Sequence, residues 1–165
     1  MDKFFLHRIQ EENGHFTTGI EVHDTLDTAV LSFWGRMKTG YDHPDHPEMR
    51  LVSCKITDGN GEVVESYDLT WNRETDEEVE NKYFLHHIRH DGAFDKNIDV
   101  LDSFDAARRG FAEQMEYGYG NQKFPNVDFV SCEITDRSGT VLNPFAETWV
   151  KPEAEPQPEP ETEQE

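Results

Sequence analysis

The chain has 165 residues, 35% of them apolar and 30% charged, a polar but foldable balance. Its formal charge of -20 is not a terminal feature: Glu153, Glu155, Glu159, Glu161, Glu163 and Glu165 stand against Lys151 at the end, and most of the excess lies on residues 1–150. Such a field repels phosphate backbones and anionic membrane surfaces and draws basic partners, which argues against direct nucleic-acid or membrane binding.

Taken in chain order, residues 1–10 hold no apolar run long enough for a signal peptide, and no later stretch approaches the ~20 residues of a membrane span. The expected compartment is therefore the cytoplasm. Phe4 to Ile9 is strand-like, Asn13-Gly14 is a turn, and Gly19 to His23 is a second strand, making a hairpin. Asp24 stands where a helix N-cap belongs, because a carboxylate accepts from the free amides of a first turn and faces its positive end. Leu26, Ala29, Val30, Phe33 and Met37 then recur at spacings of three and four, the pattern of a helix with one apolar face, and Gly40 is placed to end it. A third strand alternates, with Val52, Cys54 and Ile56 on one face and Ser53, Lys55 and Thr57 on the other. Asp58-Gly59-Asn60-Gly61 is a turn and Val63 opens a fourth strand.

The second half repeats the first. Lys3, Phe5, Leu6, His7 and Ile9 return 79 positions later as Lys82, Phe84, Leu85, His86 and Ile88. After a one-residue gap near Asn13 the displacement becomes 78 and holds to the end, from Gly14, Phe16, Ile20 and Val22 (now Gly92, Phe94, Ile98 and Val100) to Thr70 and Trp71 (now Thr148 and Trp149). So many identities in one register do not arise by chance. The predicted fold is α+β: a β-β-α-β-β unit in two tandem copies, each an antiparallel sheet with one helix. Residues 1–71 form the first copy, 72–81 an acidic linker, 82–150 the second copy, and 151–165 a Pro/Glu tail expected to stay disordered. A unit of about 70 residues has a marginal core of its own, so the copies are expected to pack as a pseudo-twofold dimer and share apolar surface.

The segment Phe84 to Arg89, followed by Phe94, Lys96, Ile98 and Val100, then Met115, Tyr117, Tyr119 and Gly120, and finally Val130 to Asp136, resembles small uncharacterised proteins of bacterial phages and mobile elements, often one such unit long. The resemblance covers each copy but not the tail, and the first copy departs from it between Gly35 and Pro47. It implies an element-encoded accessory protein acting on host machinery and carries no activity with it.

Candidate chemistry is sparse. His43 and His46 in His-Pro-Asp-His-Pro offer two imidazoles to a metal, but the second copy has Asn121 and Phe124 there and no further ligand is evident, so a solvent loop is the expected reading. His7 and His86, shared by both copies on the phase of Phe5, Ile9, Phe84 and Ile88, would line an inter-repeat groove or pack as hydrogen-bonded core residues, and Trp71 and Trp149 close each copy as groove anchors or core seals. Cys54 and Cys132 lie on the apolar strand phase, where a thiol behaves as a small hydrophobe; two distant cysteines make neither a disulfide framework nor a zinc knuckle. Nothing assigns an acid, base or nucleophile, and no cofactor motif occurs, so the chain reads as non-catalytic. The leading expectation is an acidic binding module for a basic surface of another protein, such as a nucleic-acid-mimicking inhibitor of anti-restriction or anti-CRISPR type. Asp42, Asp45, Glu48, Glu74, Asp76, Glu77, Glu78 and Glu80 are its candidate contacts. The alternatives are a structural adaptor and a ligand- or metal-binding protein using the cleft between copies.

Overall fold

The computed structural model describes residues 1–74 and 80–153. The first copy runs β1 (Phe4–Glu12), β2 (His15–His23), α1 (Leu26–Met37), β3 (Met49–Thr57) and β4 (Val63–Asn72). The second runs β5 (Tyr83–His90), β6 (Phe94–Leu101), α2 (Phe104–Met115), β7 (Phe129–Thr135) and β8 (Val141–Val150). Each forms an antiparallel four-stranded sheet, ordered β2-β1-β3-β4 and β6-β5-β7-β8, so the first strand of each unit lies inside its sheet beside the third.

Period-two alternation gives both faces of each sheet an occupation. On the outer face Leu6, Val52, Cys54 and Ile56 pack under Ala29, Phe33 and Met37 of α1, and Leu85, Val130, Cys132 and Ile134 pack under Ala107, Phe111 and Met115 of α2. On the inner face Phe5, Ile9, Ile20 and Leu51 meet Phe84, Ile88, Ile98 and Phe129 of the other copy in one buried cluster. The order of layers is thus helix, sheet, sheet, helix, and the shared central layer makes the two copies a pseudo-twofold dimer. Its symmetry is visible in the rings: Phe5 packs edge-on to Phe94 and its twin Phe84 packs on Phe16, whereas the 5.6 Å stack of Phe5 on Phe129 has no counterpart, because Leu51 stands at the equivalent place in the first copy.

Several residues shared by the copies owe their place to the same interface. The turn after β3 is at positive φ at Gly61, and the turn after β7 is at positive φ at Gly139. A Cβ at Gly61 would strike Thr148 Oγ1, and one at Gly139 would strike Thr70 Oγ1. Those threonines are held by Ser131 and Ser53 across 2.7 Å, so each turn seats on a hydroxyl pair of the opposite copy. Only glycine fits a left-handed turn this close to another chain segment.

Two local expectations are corrected. The helix N-caps are Thr25 and Ser103, whose hydroxyls accept from the amides of Thr28 and Ala106, and not Asp24 and Asp102. The two aspartates pair instead with Lys3 and Lys82. Gly40 and Gly118 lie past Lys38 and Glu116, the C-caps, and are not at positive φ. They are small because Trp71 and Trp149 lie flat against them: a Cβ at Gly40 would stand 3.0 Å from the Trp71 ring, and at Gly118 3.3 Å from Trp149.

Candidate functional site

The polar residues of the central layer meet at the pseudo-twofold axis. His7 is at the middle of β1, between Ile20 on β2 and Lys55 on β3; His86 holds the equivalent place on β5, between Ile98 and Glu133. Period-two alternation puts them on the phase of Phe5 and Ile9, which the opposite sheet buries, so both imidazoles are almost wholly enclosed. They touch: Nδ1 of one lies 2.9 Å from Nδ1 of the other. Their far nitrogens reach threonines at the ends of β3 and β7, His7 Nε2 to Thr57 Oγ1 at 2.9 Å and His86 Nε2 to Thr135 Oγ1 at 2.8 Å.

Burial, and then the Lys55 ammonium, hold both histidines well below the ordinary imidazole range, so both are neutral. Two neutral rings sharing a 2.9 Å contact must differ in tautomer, one donating Nδ1–H and one accepting. Glu133 Oε1 lies 3.6 Å from His86 Nδ1, which favours the proton on His86. His86 then donates to His7 Nδ1 and accepts at Nε2 from the Thr135 hydroxyl, while His7 donates through Nε2 to Thr57. Every imidazole nitrogen has a partner, as buried polar groups require.

Beside the rings, Lys55 and Glu133 form an ion pair across the axis, with side chains 6% and 12% exposed. They are equivalent positions of the two copies, carrying opposite charge. Neither Lys55 Nζ nor Glu133 Oε1 has a hydrogen-bond partner beyond the pair. Arg137 and Glu11 tie the copies a second time, at 2.5 Å.

The histidine pair divides two pseudo-equivalent clefts that differ in size. On the side of Glu133, a cleft of about 210 Å³ is lined by Asn60, Gly61, Ser131, Glu133, Ala146 and Thr148. On the side of Lys55 the matching space, lined by Ser53, Lys55, Asp68 and Gly139, is about 10 Å³. The cross-strand neighbour decides it: Asp68 faces Lys55, whereas Ala146 faces Glu133 and leaves room.

Trp71 and Trp149 lie apart from this groove, packed into the helix-facing clusters of their own copies. His43 and His46 have ring centroids 5.7 Å apart; His46 Nδ1 pairs with Glu12 at 3.1 Å and His43 Nδ1 accepts from the Asp45 amide. Among the described residues, His7, His86 and Glu133 form the group of three donors within 4.8 Å of one another, and the His43–His46 loop does not reach such a set. Asp42, Asp45, Glu48, Glu74 and Glu80 are exposed, with Asp42 3.6 Å from Arg73, while Asp76, Glu77 and Glu78 fall outside the described residues. Cys54 and Cys132 are enclosed beneath the helices, and burial pushes each thiol up to about 12. No helix among the described residues is long and apolar enough to cross a membrane.

Glu133 and Lys55 are the residues a sequence reading passes over. The available signal was opposite charge at equivalent repeat positions, on a strand phase that carries histidine and phenylalanine in the neighbouring strand. Comparison with family models, with curated proteins and with solved structures finds no match to this chain.

Proposed function

We propose that the chain is a non-catalytic binding module for the basic face of another protein, a face of the kind that nucleic acid would otherwise occupy. The observation that carries this reading is the outer side of α1. Leu31 is 76% exposed and Trp34 49% exposed, one turn apart, and Trp34 is braced edge-on against Phe33 at 5.0 Å. The equivalent residues of α2 are Arg109 and Ala112. In a chain of charge -20, solubility alone does not call for an open leucine beside an open tryptophan, whereas an interface centre is apolar and enriched in tryptophan.

Charge supplies the complementarity. Among the described residues Glu11 is the one carboxylate in the buried class, and many of the cations are already paired, Arg36 with Glu21, Arg73 with Asp42, Arg89 with Asp95 and Arg137 with Glu11. Surplus carboxylates such as Glu48 and Glu74 therefore face solvent, where they would steer a basic partner and confer salt dependence. The test is affinity capture from a host lysate with the wild-type chain and a Leu31→Ser/Trp34→Ala double variant, followed by challenge with duplex DNA. The expected result is a captured nucleic-acid-binding protein released by DNA or high salt and lost with the double variant. Capture that ignores the α1 substitutions, or that DNA does not displace, refutes the reading.

A further inference from the structure

We propose that His7, His86 and Glu133 form a binding site for a single divalent zinc-like cation at the pseudo-twofold axis, with its fourth position open to the cleft beneath Ala146. This does not depend on the binding surface of α1.

The geometry is the first support. Two nitrogens or oxygens held by a tetrahedral zinc at about 2.0–2.1 Å stand about 3.3 Å apart. Here the two Nδ1 atoms are 2.9 Å apart, His86 Nδ1 is 3.6 Å from Glu133 Oε1, and all three donors lie within 4.8 Å of one another, so two of the three spacings are already within a few tenths of an ångström of a tetrahedral set and a movement of the Glu133 carboxylate closes the third. Two imidazoles and one carboxylate with a vacant fourth position is a donor set suited to zinc.

The surroundings are the second support. Each ring's other nitrogen meets a threonine hydroxyl, the outer contact that fixes the orientation of a ligating histidine. For both Nδ1 atoms to bind, the His86 proton moves from Nδ1 to Nε2 and the Thr135 hydroxyl turns from donor to acceptor; the imidazole stays neutral and no partner is lost. Glu133 Oε1 is otherwise engaged only by Lys55. On metal binding the ammonium can turn toward Asp68, its cross-strand neighbour, which also lines the smaller cleft. The larger cleft, about 210 Å³, leaves room at the fourth position for a water or an oxygen of a small polar ligand, and the matching cleft does not.

The experiment is calorimetric titration of the metal-free full chain with zinc chloride, paralleled by cobalt chloride followed by visible absorption. The expected result is one equivalent bound, with the intense spectrum of four-coordinate cobalt. Glu133→Gln should weaken uptake at least ~100-fold. Lys55→Met frees the carboxylate and removes a competing cation, so it should bind about tenfold more tightly and show the larger zinc-induced rise in Tm, a gain that misfolding cannot mimic. The double variant His43→Ala/His46→Ala should bind as the wild type does. Absence of one-to-one uptake by the wild type overturns the site. So does uptake indifferent to Glu133, uptake that follows His43 and His46, or a Lys55→Met chain that binds no tighter.

Discussion

The two copies share a fold, and their most consequential difference lies at the axis. At one turn of the axis the first copy carries Lys55 facing Asp68, and the second carries Glu133 facing Ala146. That pair of exchanges converts what symmetry would make two equal pockets into a filled one and an open one, and places an enclosed ion pair beside two buried histidines that touch. On the outside, α1 shows Leu31 and Trp34 where α2 shows Arg109 and Ala112. The framework residues, by contrast, are kept in both copies: Phe5 and Phe16 as Phe84 and Phe94, the seated glycines and the hydroxyl pairs. Duplication here preserves packing and lets chemistry diverge.

The sharpest way to break the comparison is to restore like charge at the axis. Lys55→Glu would set two carboxylates against each other in a buried site, and stability measured by urea denaturation should fall by about 3–5 kcal/mol. The exchanged double variant Lys55→Glu/Glu133→Lys should recover part of that loss, the remainder reflecting the carboxylate then set against Asp68. If the exchange recovers nothing, the pair does not act as a unit.

Acid should act next. The histidines are neutral in the fold but protonate in the unfolded chain near pH 6.5, so below that value the unfolded state binds more protons and stability declines as pH falls. Over the first unit below 6.5 the loss is about 1 kcal/mol for each histidine. Carboxylate titration contributes at lower pH, so the diagnostic is the difference in slope between wild type and a His7→Gln/His86→Gln chain, which should lack this component.

Glycine substitutions should separate interface from hairpin. Gly61→Ala combines a left-handed backbone with a collision against Thr148 and should cost about 2–3 kcal/mol, whereas Gly14→Ala, also at positive φ but with open space around it, should cost about 1 kcal/mol. Equal costs in thermal denaturation would mean that the turn after β3 is not seated on the opposite copy. The smallest expected effect on stability is that of Ala146→Asn, which gives the second copy a side chain of the size of Asp68 without setting a second carboxylate against Glu133. It should change stability by under about 1 kcal/mol while closing the cleft, read as loss of any ligand or metal response there.

Much of this was legible from residues alone, because alternation in β3 and the three-four spacing of α1 are direct consequences of burial, and the duplication doubled each signal. The failures have physical causes too. Asp24-Thr25 and Asp102-Ser103 each offer two capping oxygens in succession, and the choice fell to the hydroxyl because Lys3 and Lys82 claim the carboxylates. Gly40 and Gly118 read as helix stops, whereas the structure uses them as beds for indole rings. Alternation puts Lys55 on the strand face opposite Cys54 and leaves Glu133 without a role, because it distinguishes two faces of a strand but cannot say that both will be covered. That depends on the second sheet, which is a property of the pair and not of either strand. The histidines could be assigned to the inner phase, but their mutual contact required the axis.

The opposed charges at positions 55 and 133 also bear on history. A solitary unit carrying the lysine, coming together with its own copy, would confront ammonium with ammonium, and one carrying the glutamate would confront carboxylate with carboxylate. Once the two positions parted company, each half carried at the axis a charge whose partner lies on the other half. The exchange works as a ratchet: it favours the joined pair over two halves that meet as identical partners.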